Sequence, residues 1–398
     1  MAALAITAAV SLVAGVVTAA NSGSPRKATE AAGAGGARTA AVAGASTSST
    51  PARSGGKGSA ALAHPVTFTV EASGDLLIHS PVWDRALELG GGNHYNFTPL
   101  FRDIKPYVVG ADLPLCHMET PMTPSPPTGF PIFNTPPQLA YAIRRTGWRA
   151  CSTAATHSLD EGQRGVDDTI ATLDKVGVKH AGTYASAAAQ RRPLIMTVKG
   201  IKVAFLSYTE LTNGIPSPHP WSVNRAQNVS QILGEAHRAR TEGARAVIIN
   251  IHWGDENVPQ PSRFQLHLAG VLTRSRDITA VIGQHVHVVQ PIRRINGKLV
   301  VFGEGNLISN QTSACCPDGS QDGLIALLTI VVDNRGARVT KVHYVPIWIQ
   351  HPTFTVLPVG TGLRSDPADA AALRASYDRT VRVAGRSADV QPVPAHLP

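Results

Sequence analysis

No internal repeat is visible in the 398 residues, and no basic run is interleaved with aromatics. The second absence bears on function. The formal net charge is +9, yet it is not laid out as a nucleic-acid groove, and no nucleic acid is expected as a partner. The two-lobed pattern of a solute-binding protein is missing as well. Cysteine is scarce, with four residues, which fits an exported chain loosely. Cys116 and Cys151 stand at the ends of two predicted strands, and neighbouring parallel strands would bring them within disulfide range. Cys315 and Cys316 are adjacent in a loop with Pro317, Asp318 and Gly319. Pairing with each other, pairing elsewhere and staying free are all open to them.

Met1 to Ala20 lacks any charge and is almost wholly apolar. It reads as a signal peptide or a single membrane anchor, although the usual basic start is missing. Residues 21–63 lack the apolar content for a core and read as a disordered linker. This linker holds five basic residues against Glu30, a net +4 that leaves +5 of the formal charge for the rest. Residues 64–350 are the expected folded domain. Residues 351–398 read as a C-terminal extension with one helical piece, Pro367 to Val381.

Within the domain, predicted strands alternate with helices, which implies a largely parallel α/β arrangement. Strands are expected at Val66 to Val70, Val108 to Met118, Trp148 to Ala155, Ile201 to Tyr208, Ala246 to Ile251, Ile278 to Ile282 and Leu299 to Phe302. Helices are expected over 136–146, 165–176, 223–242 and 261–274. Gly323 to Asp333 and Ala337 to Ile349 are two long alternating stretches joined by a hairpin at Asn334-Arg335-Gly336.

Five of these strands end in residues that bind ligands well: Asp75, Glu119, His157, His252, and the pair His285 and His287 around Val286. The carboxyl edge of an α/β sheet is where such residues form sites. Imidazole suits zinc, iron and manganese, and carboxylates supply hard oxygens. Two divalent ions about 3.5–4 Å apart need a bridging carboxylate and several histidines. Taken singly, Asp75 is equally a turn or capping aspartate, and a satisfied core histidine is the lesser alternative for His252.

The ordered set Gly74-Asp75, His117-Met118-Glu119-Thr120-Pro121, Ala155-Thr156-His157-Ser158-Leu159-Asp160, His252-Trp253-Gly254 and Gly283-Gln284-His285-Val286-His287 resembles the calcineurin-like metallophosphoesterase superfamily. Within that superfamily it looks like the capsule synthesis protein CapA family, linked to poly-γ-glutamate. The resemblance implies a four-layer α-β-β-α sandwich with mixed sheets. It also implies two divalent ions drawn from manganese, iron or zinc. Asp75 and His287 would bind the first ion, His252 and His285 the second, and Glu119 would bridge them. His157 would be the catalytic histidine, as general acid or oxyanion stabiliser.

The chain departs from that pattern. Thr156 stands where the family has an asparagine that binds the second ion, and a hydroxyl is a poorer ligand than an amide carbonyl. His117 stands where the family often has asparagine and is expected behind the ligands. His79 would have to curl back to reach a metal. Two functions follow from the resemblance. One is an exported, metal-dependent phosphoesterase-like enzyme acting on an envelope polymer or a phosphorylated envelope intermediate. The other is a non-catalytic assembly or export component that keeps the fold. Membrane-bound capsule synthesis partners, and a place on the extracytoplasmic face of a bacterial envelope, are expected for either.

Overall fold

The computed structural model describes residues 62–394. The apolar N-terminal segment and the linker up to residue 61 lie outside the described residues. Among the described residues, fifteen strands form two sheets. The first sheet contains β1 (Val66–Leu76), β2 (Leu113–Met118), β3 (Ala150–Ser152) and β4 (Lys179–Ala181). The second contains β5 (Leu194–Val198), β6 (Ile201–Thr209), β7 (Ala246–His252), β8 (Ala280–Gln284), β9 (Ile292–Ile295) and β10 (Lys298–Val301). The chain then returns to the first sheet with β11 (Asn306–Ile308), β12 (Asp322–Asp333), β13 (Gly336–Gln350), β14 (Thr355–Pro358) and β15 (Val390–Pro392).

Both sheets are mixed. In the first, β1 to β4 run parallel, while the long β12–β13 hairpin pairs antiparallel to β1. In the second, β6, β7, β8 and β10 are parallel between antiparallel edge strands β5 and β9. The strand β7 shows why the sheets stack. Ala246 and Ile248 face the first sheet, beside Phe68, Val70 and Leu115. Val247, Ile249 and Ile251 face the opposite way, onto the helices α6 (Val229–Thr241) and α7 (Arg263–Leu272). A strand buried on both faces reads as an unbroken apolar run.

The outer face of the first sheet is covered in the same manner. Here α1 (Ser80–Leu89), α2 (Lys105–Val109), α3 (Leu139–Thr146) and α4 (Gly162–Lys175) pack on Leu76, Cys116, Met118 and Cys151. The four layers are therefore helix, sheet, sheet, helix.

Several expected boundaries move. The strand expected from Val108 begins at Leu113, because Val108 and Val109 finish α2. The helix expected from Val223 begins at Val229, capped by the side chain of Asn228, which accepts from Gln231 N. The residues before it make isolated bridges, Val223 to Thr183 and Arg225 to Thr209. The stretch after residue 350 adds β14 and β15, which pair with successive parts of β13 on the edge away from β12. Its helix, α9, spans Ala370–Ala384. Cys116 and Cys151 are register partners on β2 and β3 and form a disulfide, while Cys315 and Cys316 are free. Among the described residues, no helix is long and apolar enough to cross a membrane.

Candidate metal centre

The carboxyl ends of β1, β2, β7 and β8 meet at one edge of the sandwich. Register places the side chains there. Asp75 pairs with His117 across β1 and β2, and His117 pairs with Ser152 across β2 and β3. Neighbours in register share a face, so His117 Nε2 lies 3.5 Å from Asp75 Oδ1 and His117 Nδ1 lies 2.7 Å from Ser152 Oγ. The second sheet brings His252, the last residue of β7, to 2.9 Å from His117 Nε2 through its Nδ1.

Two glycines allow the close approach of backbone behind these residues. A Cβ on Gly74 would lie 1.9 Å from Gly305 O, and one on Gly283 would lie 2.0 Å from Phe302 O. Beyond Gly283 the chain turns sharply. His285 and His287 have φ of 96° and 59°, a region that side-chain-bearing residues avoid unless the surroundings hold them there. The backbone N–H of His285 is held 3.3 Å from each oxygen of Asp75. His287 Nδ1 lies 3.0 Å from Asn306 Oδ1 and 3.4 Å from Asp75 Oδ2, and its Nε2 lies 3.7 Å from Glu119 Oε1. Asn306 Nδ2 donates to Gln311 Oε1 and Ser320 O. That fixes the amide so that its oxygen accepts from His287 Nδ1, which leaves Nε2 facing Glu119.

Glu119 Oε1 is also 3.7 Å from His252 Nε2, so this carboxylate lies between His252 and His287. Thr156 is inside the cluster, with its hydroxyl 3.0 Å from His252 Nε2 and 3.5 Å from Glu119 Oε1. Two sets of donor atoms converge: Asp75 with His117 and His252, and Glu119 with His285 and His287. Asp75, Glu119, His252, His285 and His287 thus come together as expected from their places at strand ends. His117 joins them at donor distance. The grouping differs from the division that the resemblance implies, which paired His252 with His285.

Burial and mutual charge set the protonation of the cluster. Burial lowers His117 to about 4. Burial and the charge of His287 lower His285 to about 3, and burial, followed by the charges of His285 and His117, holds His252 well below the usual range. His287 is the exception. Burial opposes its charge, but Glu119 and Asp75 outweigh it and raise the ring to about 10. Burial pushes Glu119 upward and the charge of His287 pulls it back, so the two titrate as a unit.

His157 stands at the mouth. Its Nδ1 lies 2.7 Å from Asp160 Oδ2, its ring meets Phe133 edge-on at 4.6 Å, and Asn213 Nδ2 is 3.3 Å away. Its charge would reach His252 and His285. Phe133 N donates to the same Asp160 Oδ2 at 2.7 Å, which ties the proline-rich stretch from Pro121 to Pro137 to this histidine. His79 accepts from Asn310 N through Nδ1 at 3.2 Å and belongs to neither donor set. Sequence reasoning missed Asn213, which is far from every strand-end motif.

The chain is 24% identical over 231 residues to the capsule biosynthesis protein CapA of Bacillus anthracis, covering 55% of this chain and 56% of that protein. It is 26% identical over 181 residues to the PGA biosynthesis protein CapA of Bacillus subtilis (strain 168), covering 42% and 44%. The matches therefore span about half the length of these curated relatives. Among solved structures, a calcineurin-like phosphoesterase, YfkN of Bacillus subtilis, overlays with a TM-score of 0.45 at 14% identity, covering 78% of this chain and 100% of that one. A 5'-nucleotidase precursor from Thermus thermophilus overlays with a TM-score of 0.42 at 13% identity, covering 80% and 59%. Residues 69–311, well over half of the chain, match the model of the bacterial capsule synthesis protein PGA_cap, and the chain belongs to that family.

Proposed function

We propose that the cluster is a two-metal, phosphoesterase-type centre in an exported protein of capsule or envelope-polymer synthesis. The observation that carries this reading is the donor set. Two carboxylates and four imidazoles converge, each 4% exposed or less. Glu119 Oε2 and His285 Nδ1 are buried without a hydrogen-bond partner. Leaving such atoms unpaired in a dry site is costly. Two ligands of one tetrahedral ion at about 2.1 Å lie about 3.4 Å apart. The pair Asp75–His117, at 3.5 Å, has that spacing. The pull of Asp75 and Glu119 that raises His287 is one that a divalent cation would also satisfy. The residues present fit manganese, iron or zinc.

Asp75, His117, His252, His285 and His287 would hold the metals, with Glu119 between them and Thr156 reaching the same space. Bound ions of this kind polarise a phosphoryl oxygen and lower the pKa of water. His157 is placed to move a proton. Asp160 accepts from its Nδ1, so the proton available for transfer to a leaving oxygen sits on Nε2. The substrate in this reading is an envelope polymer or its phosphorylated intermediate, in keeping with the names of the relatives. Export is supported by the Cys116–Cys151 disulfide, a bond that persists in oxidising compartments.

One observation favours the second reading, a non-catalytic assembly component: Thr156 puts a hydroxyl where an amide would bind metal better. Hydrolysis separates the two. The purified chain with manganese or zinc should cleave bis(p-nitrophenyl) phosphate and lose that activity in excess chelator. His157→Ala should lower the rate by roughly 10²–10⁴-fold, the range for a lost general acid. A metal-loaded chain with no turnover points to the assembly role.

A further inference from the structure

The edge opposite the metal centre carries a second concentration of charge. There the C-terminal turn of α6, the loop into β7 and the β12–β13 turn surround an open cavity of about 400 Å³. Three guanidinium groups line it, those of Arg240, Arg245 and Arg335, and no carboxylate is among the described lining residues. Lys202 adds a fourth cation beside the wall, with its Nζ 3.6 Å from the position a Cβ on Gly243 would occupy.

Backbone carbonyls position these side chains. Arg240 Nη1 donates to Ala244 O at 3.0 Å, and Lys202 Nζ donates to Glu242 O at 3.1 Å. Arg245 Nη2 donates to Asp333 O at 3.0 Å and so joins the second sheet to the turn of the first. Two acids nearby are engaged. Asp333 pairs with Arg338 at 2.6 Å, and Asp277 pairs with His237 at 3.2 Å. Burial lowers the Arg240 guanidinium, and the charge of Arg245 adds to that, while Asp277 offsets it only in part. Like charges crowded around a partly desolvated space favour a counter-ion.

We propose that this cavity binds a phosphate group carrying two negative charges, as a soluble phosphate or as the phosphomonoester headgroup of a lipid. The planar fork of arginine matches phosphate oxygens two at a time. A single carboxylate would leave most of the charge of Arg240, Arg335 and Lys202 unmatched, whereas a phosphate monoester brings about −1.5 to −2. The lipid source has a geometric basis. Leu62 is bound to the cavity's own turn, accepting from Asn334 Nδ2 at 3.1 Å and donating to Asn334 Oδ1 at 2.8 Å. The chain that leads to the apolar Met1 to Ala20 thus joins the fold beside the cavity.

The test is calorimetric titration of the full chain with inorganic phosphate, at low salt and in excess chelator so that the metal centre takes no part. Saturable binding is expected, weakened roughly tenfold or more in Arg240→Gln/Arg335→Gln, since hydrogen bonds to a charged partner are that strong. The charge-matched pair Arg144→Gln/Arg263→Gln, on exposed helix positions elsewhere, should bind like the parent. Arg335→Gln alone, on an exposed turn, covers the case in which the double variant misfolds. Co-sedimentation with phosphatidylcholine vesicles, with and without phosphatidic acid, distinguishes the sources. An increment from phosphatidic acid that vanishes in Arg240→Gln/Arg335→Gln identifies a headgroup. Phosphate binding without that increment identifies a soluble phosphate. No saturable phosphate binding by the parent, or equal loss in both double variants, overturns the proposal.

Discussion

Thr156 is buried at 1% exposure in the middle of the donor cluster, and its hydroxyl touches His252 and Glu119 rather than turning away. A residue so placed would act directly on any metal held there. A hydroxyl is a weak neutral ligand, so an ion beside His252 would be held mainly by imidazole and carboxylate. Loss of a direct ligand should weaken it by more than the 10–100-fold typical of groups behind the ligands. Thr156→Asn restores an amide oxygen at this place. Metal titration should then show a second ion bound more tightly than in the parent, and phosphodiester hydrolysis should rise with it. Equal affinity for the second ion in both proteins would show that Thr156 does not reach the metals. His285 and His287 make a complementary point at the same scale. Their identity is plain in the sequence, but the left-handed backbone that aims them is not, because nothing in Gln284-His285-Val286-His287 calls for positive φ locally. Contacts from distant parts of the chain hold it, Asp75 on the His285 N–H and Asn306 on His287 Nδ1.

At the scale of an element, β1 shows how one strand serves both core and site. Its carboxyl end carries Asp75, while Glu71, four residues earlier, is fully buried between the sheet and Trp148. Glu71 Oε1 lies 2.5 Å from Ser73 Oγ, and its Oε2 accepts from Leu115 N at 3.2 Å. Burial raises the Glu71 carboxyl to about 8 in spite of these bonds. The fold therefore keeps a proton that the unfolded chain releases from about pH 4.3 upward. Stability from this group is intact below that pH and falls as pH rises towards 8. Glu71→Gln cannot ionise; its amide oxygen can accept from Leu115 N while its amide nitrogen donates to Ser73 Oγ, whose hydroxyl turns to Leu115 O. Its melting temperature should change less between pH 5 and 8 than that of the parent. Relative to the parent it should gain on the order of a few kcal/mol at pH 8. A parent whose stability is flat over that window would contradict this account. Such a residue is invisible in the sequence, where Glu71 reads as an ordinary outward position of an alternating strand. The pairings of β11, β14 and β15 are equally hidden. Strands of three or four residues carry little periodicity, and only their neighbours on β1 and β13 make them strands.

For the whole molecule, the alternation of strands and helices was legible because it rests on apolar runs, while the four layers came with the family resemblance. Ala246 to Ile251 can only be buried on both faces, and the alternation in β12 and β13 marks strands of a hairpin. The position of the centre was legible for a related reason, since parallel strands end at a common edge. What could not be read is which donors meet across the two sheets, as His117 and His252 do, because that depends on how the sheets stack. This meeting is the core of the account: residues from both sheets form one centre, so removing a shared carboxylate should empty all of it. Elemental analysis of the full chain, purified with manganese or zinc and dialysed, tests this directly. The parent should retain at least one equivalent of metal, with a second bound when metal is in excess, and Glu119→Gln should retain neither while still folding. A parent that keeps no metal, or a Glu119→Gln protein that keeps as much as the parent, would contradict it.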